Sequence, residues 1–245
     1  NTKINVLTSY CEGLDLSLEN QLKSNPYSSE IEMLHVKART QSERDFFQIY
    51  LNNVRDNSNP KFIKKGDINN KEIVNEIIKK KPNLLVCYGS SLIKSNLLNE
   101  FKGRFLNVHL GLSQYYRGSG TNIWPLINNQ PEMVGATFMH INSGIDTGEI
   151  IHQIRGDIFL GDSPHSIGNR LITKMTKVYG QIILNFDKLE KFYNYKPQGK
   201  LYFQKDFNEE ACTNLYKNFT NGLVEKHLKS KVKKSQIFEN KGILI

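Results

Sequence analysis

Three polar residues stand where chemistry on a carbonyl could be done. Asn107 and His109 lie two apart at the end of the apolar run RFLNVH, and Asp146 lies in the loop NSGIDTG between two further apolar runs. A strand sends successive side chains to opposite faces, so Asn107 and His109 share a face with Phe105. Brought together, an amide and a charged imidazole can donate hydrogen bonds to a developing oxyanion, while a carboxylate orients the imidazole or accepts a proton. No GxSxG is present, so no nucleophile elbow is expected and the nucleophile belongs to the substrate. Blander readings compete for each residue. An Asn at a strand end is often a turn residue, a lone His is often a satisfied rim group, and GIDTG alone suits a tight turn using glycine's positive φ. Only the convergence of all three makes a site.

The elements that must position these residues follow from periodicity. KINVLT (3–8), IEMLHVK (31–37), LLVCYG (84–89), RFLNVH, MVGATFMHI (133–141) and EIIHQIR (149–155) read as strands. LLVCYG is a continuous apolar run, as in a strand buried on both faces. Helices are expected over LDLSLENQLKS (14–24), over 43–54 with Phe46, Phe47, Tyr50, Leu51 and Val54 on one side, and after Asn70 as cap, ending at Pro82. A short helix near 94–101 and another around Trp124, with Pro125 in its first turn, come next. A long helix starts at Ser163 with Pro164 in its first position and carries the stripe Ile167, Leu171, Ile172, Met175, Val178, Tyr179, Ile182 and Ile183. RDNSNPKFIKKGDIN reads as a loop holding a short apolar piece. Alternating strands and helices indicate a largely parallel α/β sheet with an antiparallel element added later. Beyond KPQG (196–199) the chain turns polar, and it is expected to be helical from Asn208. The division is therefore 1–199 as the catalytic domain and 200–245 as an appended segment.

Composition narrows the class. With 245 residues, 38% hydrophobic and 23% charged, the chain can bury a substantial core. No apolar run approaches the roughly 18–20 residues that span a bilayer, and NTKINVLTSY shows no signal-peptide pattern. The first residue is not Met, so a missing initiator or short leader is expected. Cys11, Cys87 and Cys212 lack metal spacing, which suits reduced thiols in the cytoplasm and no metal. A net charge of +9 points to anionic partners such as phosphorylated metabolites, polyglutamylated cofactors or nucleic acid. Much of it sits in EKHLKSKVKKSQ (225–236) and IIKKKP (77–82), which read as solvated helix faces or ends. Neither has the interleaved aromatics of a nucleic-acid surface.

The stretch NVHLGLSQYYRGSGTNIWPLINNQPEMVGATFMHINSGIDTGEIIHQ resembles the family of 10-formyltetrahydrofolate-dependent formyltransferases, and most of all the sugar N-formyltransferases. The resemblance implies a Rossmann-like, mostly parallel twisted sheet with helices on both faces, plus a short C-terminal helical extension. It implies Asn107, His109 and Asp146 as catalytic residues. Ser90, Ser91, Leu92 and Ile93, faced by Gly144 and Ile145, are the implied folate contacts, and Tyr116, Arg117, Thr121 and Asn122 the substrate-side candidates. Two departures stand out. His109-Leu110-Gly111-Leu112-Ser113-Gln114 replaces the family's H-P-S-L-L-P, which bears on substrate identity. Thr8 to Gly13 carries no G-x-G-x-x-G, which disfavours a dinucleotide. The expected reaction is formylation of a primary amine, an amino sugar (nucleotide-linked or of nonulosonic-acid type) used for surface polysaccharide. The alternatives are a formyltetrahydrofolate deformylase, glycinamide ribonucleotide formyltransferase, or a basic binding module using the 225–236 tail. The expected partners are small molecules, without nucleic acid or membrane, and the C-terminal segment is a candidate for pairing two copies.

Overall fold

The computed structural model describes residues 4–13, 29–190, 199–230 and 235–243. Its elements are β1 (Tyr10–Glu12), α1 (Glu30–Asn53), β2 (Lys61–Ile63), α2 (Lys71–Lys80), β3 (Leu85–Tyr88), α3 (Ser95–Glu100), β4 (Phe105–His109), β5 (Tyr116–Gly118) and α4 (Trp124–Ile127). Then come β6 (Gly135–His140), β7 (Ile150–Arg155), α5 (Pro164–Leu184), β8 (Lys200–Tyr202), α6 (Glu209–Thr220) and α7 (Leu223–Lys229).

The central sheet runs β3-β4-β6-β7. β3 and β4 are parallel, with Cys87 beside Asn107. β6 and β7 join antiparallel, which puts Thr137 opposite His109. Two small parallel pairs, β1·β2 and β5·β8, flank this sheet. Helices cover both of its faces. On one, Ile167, Leu171, Met175, Val178 and Ile182 of α5 pack on Leu106, Val108, Ala136, Phe138, Ile151 and Ile154. Each such fully buried aliphatic stabilises the fold by roughly 1.5–3 kcal/mol. On the other, Phe105 packs with Val74, Ile77, Leu97 and Phe101 of the α2–α3 region. Strand alternation assigns these faces, and the same alternation puts Asn107 and His109 on the side of Phe105.

The predicted α5 is present with its cap: Ser163 Oγ accepts from Ser166 N at 3.1 Å, and Pro164 opens the helix. Asn208 caps α6 through a bond from Ala211 N at 3.0 Å. Leu215, Leu223 and Ile243 join the main core, so residues beyond 200 pack directly on the sheet-facing helix layer. Residues 235–240 run along the outer edge of β7, where Gln153 N donates to Phe238 O at 2.7 Å and Asn240 Nδ2 to Ile151 O at 2.8 Å.

Four expectations need correction. IEMLHVK is not a strand; it opens α1, which continues through the predicted helix at 43–54. Ser29 and Glu32 close a capping box, with Ser29 N donating to Glu32 Oε2 at 3.1 Å, and helix propagation then carries Ile31, Met33, Leu34 and Val36. The first strand lies at 10–12 instead of 3–8, because the ladder partner offered by 61–63 meets Tyr10 to Glu12. LLVCYG is buried on one face only, since β3 is an edge strand whose Val86 and Tyr88 are exposed. Asn70 does precede α2, but its side chain makes no capping bond. The helix read at 14–24 lies outside the described residues, as do 231–234 of the basic tail. The described Lys79 to Lys81 end α2 in solvent.

Candidate active site

The C-terminal ends of β3 and β4 open into a cleft of about 1230 Å³. Asn107 and His109 enter it from β4, and Asp146 enters from the loop between β6 and β7. His109 Nδ1 stands 3.3 Å from Asp146 Oδ2. The same carboxylate oxygen accepts from Gly118 N at 2.8 Å. On the other side of the ring, Nε2 is 3.0 Å from Tyr116 O and 3.2 Å from Thr121 Oγ1. A carbonyl only accepts, and the Thr121 hydroxyl already donates to Leu110 O at 2.7 Å, so Nε2 is the donor in both contacts. Nδ1 then faces the Asp146 carboxylate.

The backbone is shaped to allow this. Asp146 has a left-handed φ of 50°, held by a loop that Asn142 folds on itself: Asn142 Oδ1 accepts from Gly144 N at 3.0 Å and from Thr147 Oγ1 at 2.9 Å. Position 111, where the resembled family has Ser, admits only glycine here, because a Cβ would stand 2.6 Å from His109 Nε2. Gly118 has φ 88° and lies so close to Tyr202 O that a Cβ would approach it to 2.1 Å. Beneath the site, Cys87 Sγ lies 3.4 Å from Asn107 Oδ1 and donates weakly to it. Burial pushes that thiol up to about 11, so it stays protonated and inert while it orients the amide.

All six folate-side candidates, Ser90, Ser91, Leu92, Ile93, Gly144 and Ile145, line the cleft. Leu92 and Ile145 do so with exposed apolar surface, 62% and 42%, which suits one flat face of a reduced pterin. Of the substrate-side candidates, Thr121 and Asn122 line the cleft and Tyr116 and Arg117 do not. The Tyr116 ring stacks on Tyr202 and its hydroxyl donates to Gln130 at 2.5 Å. Arg117 turns toward Gly199 O at 3.4 Å. Both hold the β5·β8 pair, and neither reaches the cleft.

Sequence reasoning missed the supports of the 90–93 loop. Glu12 accepts from Ser91 N at 2.7 Å, Gly66 N at 2.9 Å and Ile68 N at 3.3 Å. Burial pulls that carboxyl upward, but these backbone donors outweigh it and hold it below the usual carboxylate range. Asn69 adds a bond to Leu92 O at 2.9 Å and one from Lys94 N at 2.7 Å. Also missed was the polar wall of α1, with Glu32, His35, Arg39 and Glu43 at helical spacing, faced by His165. The Ser29-x-x-Glu32 capping box was the available signal. Among the described residues, no cluster of three or more His, Cys, Asp or Glu could hold a metal ion, and no helix is long and apolar enough to cross a membrane.

The family model for formyl transferase matches residues 33–183. The chain belongs to the formyl transferase family. Its mixed α/β architecture is the family's Rossmann-like one. The formyltransferase PseJ from Anoxybacillus kamchatkensis, solved with UDP-4,6-dideoxy-4-formamido-L-AltNAc and tetrahydrofolate, superposes with a TM-score of 0.50 at 24% identity, over 67% of this chain and 81% of that one. A sugar N-formyltransferase from Shewanella gives a TM-score of 0.50 at 19% identity, over 74% and 76% of the two chains. By sequence, this formyl transferase family member is 34% identical over 87 residues to methionyl-tRNA formyltransferase of Finegoldia magna, 35% of this chain and 27% of that protein. It spans about a third of the length of the curated methionyl-tRNA formyltransferases it matches.

Proposed function

We propose that the chain is a cytoplasmic N-formyltransferase that moves a formyl group from 10-formyltetrahydrofolate to the primary amine of an amino sugar used for surface polysaccharide. The observation that carries this is the 3.3 Å approach of His109 to Asp146 in a cleft that Asn107 also lines. In this reading the neutral amine attacks the formyl carbon, and the formyl oxygen gains negative charge that the Asn107 amide stabilises directly, joined by His109 once bound substrate draws its Nε2–H away from Tyr116 O and Thr121. Asp146 holds His109 in orientation and takes up the proton that the amine loses. The new C–N bond is made in that attack; when the oxyanion collapses, the bond from formyl carbon to folate nitrogen breaks and that nitrogen recovers the proton. Bound folate supplies the formyl carbon, with Leu92, Ile145 and the backbone of 90–93 positioning its ring.

An amino sugar as acceptor is supported by the fold likeness to PseJ and to the Shewanella enzyme. It is also supported by Lys205, Phe207 and Asn208, which bring the segment beyond 200 into the cleft wall and narrow it toward a small acceptor. The test is mass spectrometry of an amino-sugar panel incubated with 10-formyltetrahydrofolate. A gain of one formyl unit on a panel member is the expected result. Formate release without any acceptor product would assign the chain to the deformylases instead.

A further inference from the structure

Facing the strand ends, the cleft holds a second polar cluster, contributed by helices. His35 of α1 and His165 in the first turn of α5 both line it, with ring centroids 4.9 Å apart. Behind them, the Tyr216 hydroxyl of α6 is 3.0 Å from His35 Nδ1 and 3.3 Å from His165 Nε2. A phenol has one proton, so it donates to one ring and accepts from the other. Burial, helped by the charges of His165 and Arg39, pushes His35 down to about 3. Burial and then Arg39 push His165 down to about 4, against a small opposing pull from Glu43. Both rings are therefore neutral at physiological pH.

For two neutral rings sharing one hydroxyl, the remaining nitrogens, His35 Nε2 and His165 Nδ1, are one donor and one acceptor whichever way the phenol proton points. Both residues line the cleft, which is where these two nitrogens can meet a ligand. A donor beside an acceptor is the complement of a hydroxyl or amino group. Phe207, tilted against His35 at 4.9 Å, adds an apolar face for a ring.

Charge narrows the ligand further. Although the chain carries +9, the described residues lining the cleft include three carboxylates, Glu32, Glu43 and Asp146, against two cations, Arg39 and Lys205. Arg39 Nε is already engaged by Glu43 Oε1 at 2.7 Å. Among the described lining residues the carboxylates outnumber the cations by one, a balance that disfavours a doubly ionised pyrophosphate and draws an amine arriving as its ammonium ion. We propose that His35 and His165, oriented by Tyr216, bind the acceptor, and that the acceptor is a polyhydroxylated amine free of a nucleotide diphosphate. This deepens, and rests on, the formyl-transfer reading above.

Matched amino sugars, free and nucleotide-linked, are offered to the full chain with 10-formyltetrahydrofolate, and initial rates are read by mass spectrometry. The free member is expected to exceed its linked counterpart in kcat/KM. His35→Phe and His165→Phe are each expected to raise the acceptor KM about tenfold, the loss of one ordinary hydrogen bond. Tetrahydrofolate affinity should stay as in the parent chain. Tyr216→Phe, which keeps both rings and removes only the bridging hydroxyl, covers the case in which a histidine variant fails to fold; it should raise the acceptor KM a few-fold. Preference for the linked sugars, or an unchanged acceptor KM in folded variants, overturns the proposal while leaving formyl transfer standing. A parent chain that neither binds tetrahydrofolate nor transfers formyl removes the underlying reading, and the proposal with it.

Discussion

The two walls of the cleft are built in different ways. One is made of strand ends and tight loops: Asn107 and His109 project from a ladder, and Glu12, Asn69 and Asn142 pin the adjoining loops through backbone bonds. The other is made of helix flanks, where His35, His165 and Tyr216 meet from α1, α5 and α6. The first wall pins its loops through backbone hydrogen bonds, the kind of fixed geometry that the proposed chemistry at one carbon needs. The second presents side chains that exchange donor and acceptor roles, which suits recognition of a hydroxylated ligand. In the proposed reading, one chain thus separates what must be rigid from what must be discriminating.

Three experiments would break or sharpen that contrast. The largest effect is expected at the strand-end wall: Asn107→Ala should lower kcat by about a hundred- to a thousandfold with tetrahydrofolate affinity kept. Near-normal turnover would mean that this wall does not stabilise the oxyanion. Next is Glu12→Ala, which leaves three backbone N–H groups of the 66–91 region without their carboxylate. We expect it to weaken tetrahydrofolate binding about tenfold, measured by titration, with kcat on saturating donor nearly unchanged. An equal fall in kcat would put Glu12 in the chemistry.

The smallest effect is at the helical wall and concerns acid. His35 and His165 have folded-state values below that of a free imidazole, so the unfolded chain binds protons first as pH falls. Their contribution to stability is full above about 6.5 and is lost as pH drops toward 4 and then 3. Denaturant unfolding at pH 7 and pH 5 should therefore show a smaller acid loss in the His35→Phe, His165→Phe double variant than in the parent chain. An identical loss would mean that these rings are protonated in the folded protein.

The same contrast explains what could be read from residues alone. RFLNVH and NSGIDTG were legible because strand alternation fixes the face of each residue and a loop with two glycines marks its own turn. α5 was legible because a cap, a first-turn proline and an eight-residue stripe agree. α1 was not, because IEMLHV is an apolar-rich run of strand length, and only the Ser29–Glu32 box betrays a helix start. Tyr116 and Arg117 were misjudged for a related reason. Their place in YRG says that a short strand exists, but its partner, Lys200–Tyr202, lies more than eighty residues away and decides which way they face. The His35–Tyr216–His165 cluster is likewise assembled from three distant segments, and no local pattern announces it.

The seam along β7 has a consequence for how the molecule is made. Gln153 and Ile151 bond to Phe238 and Asn240, so that flank of the sheet is sealed by a segment translated more than eighty residues later. Until the ribosome has delivered it, the nascent chain carries a bare ladder edge able to recruit another strand. Shielding of that edge during the interval would limit loss to aggregation.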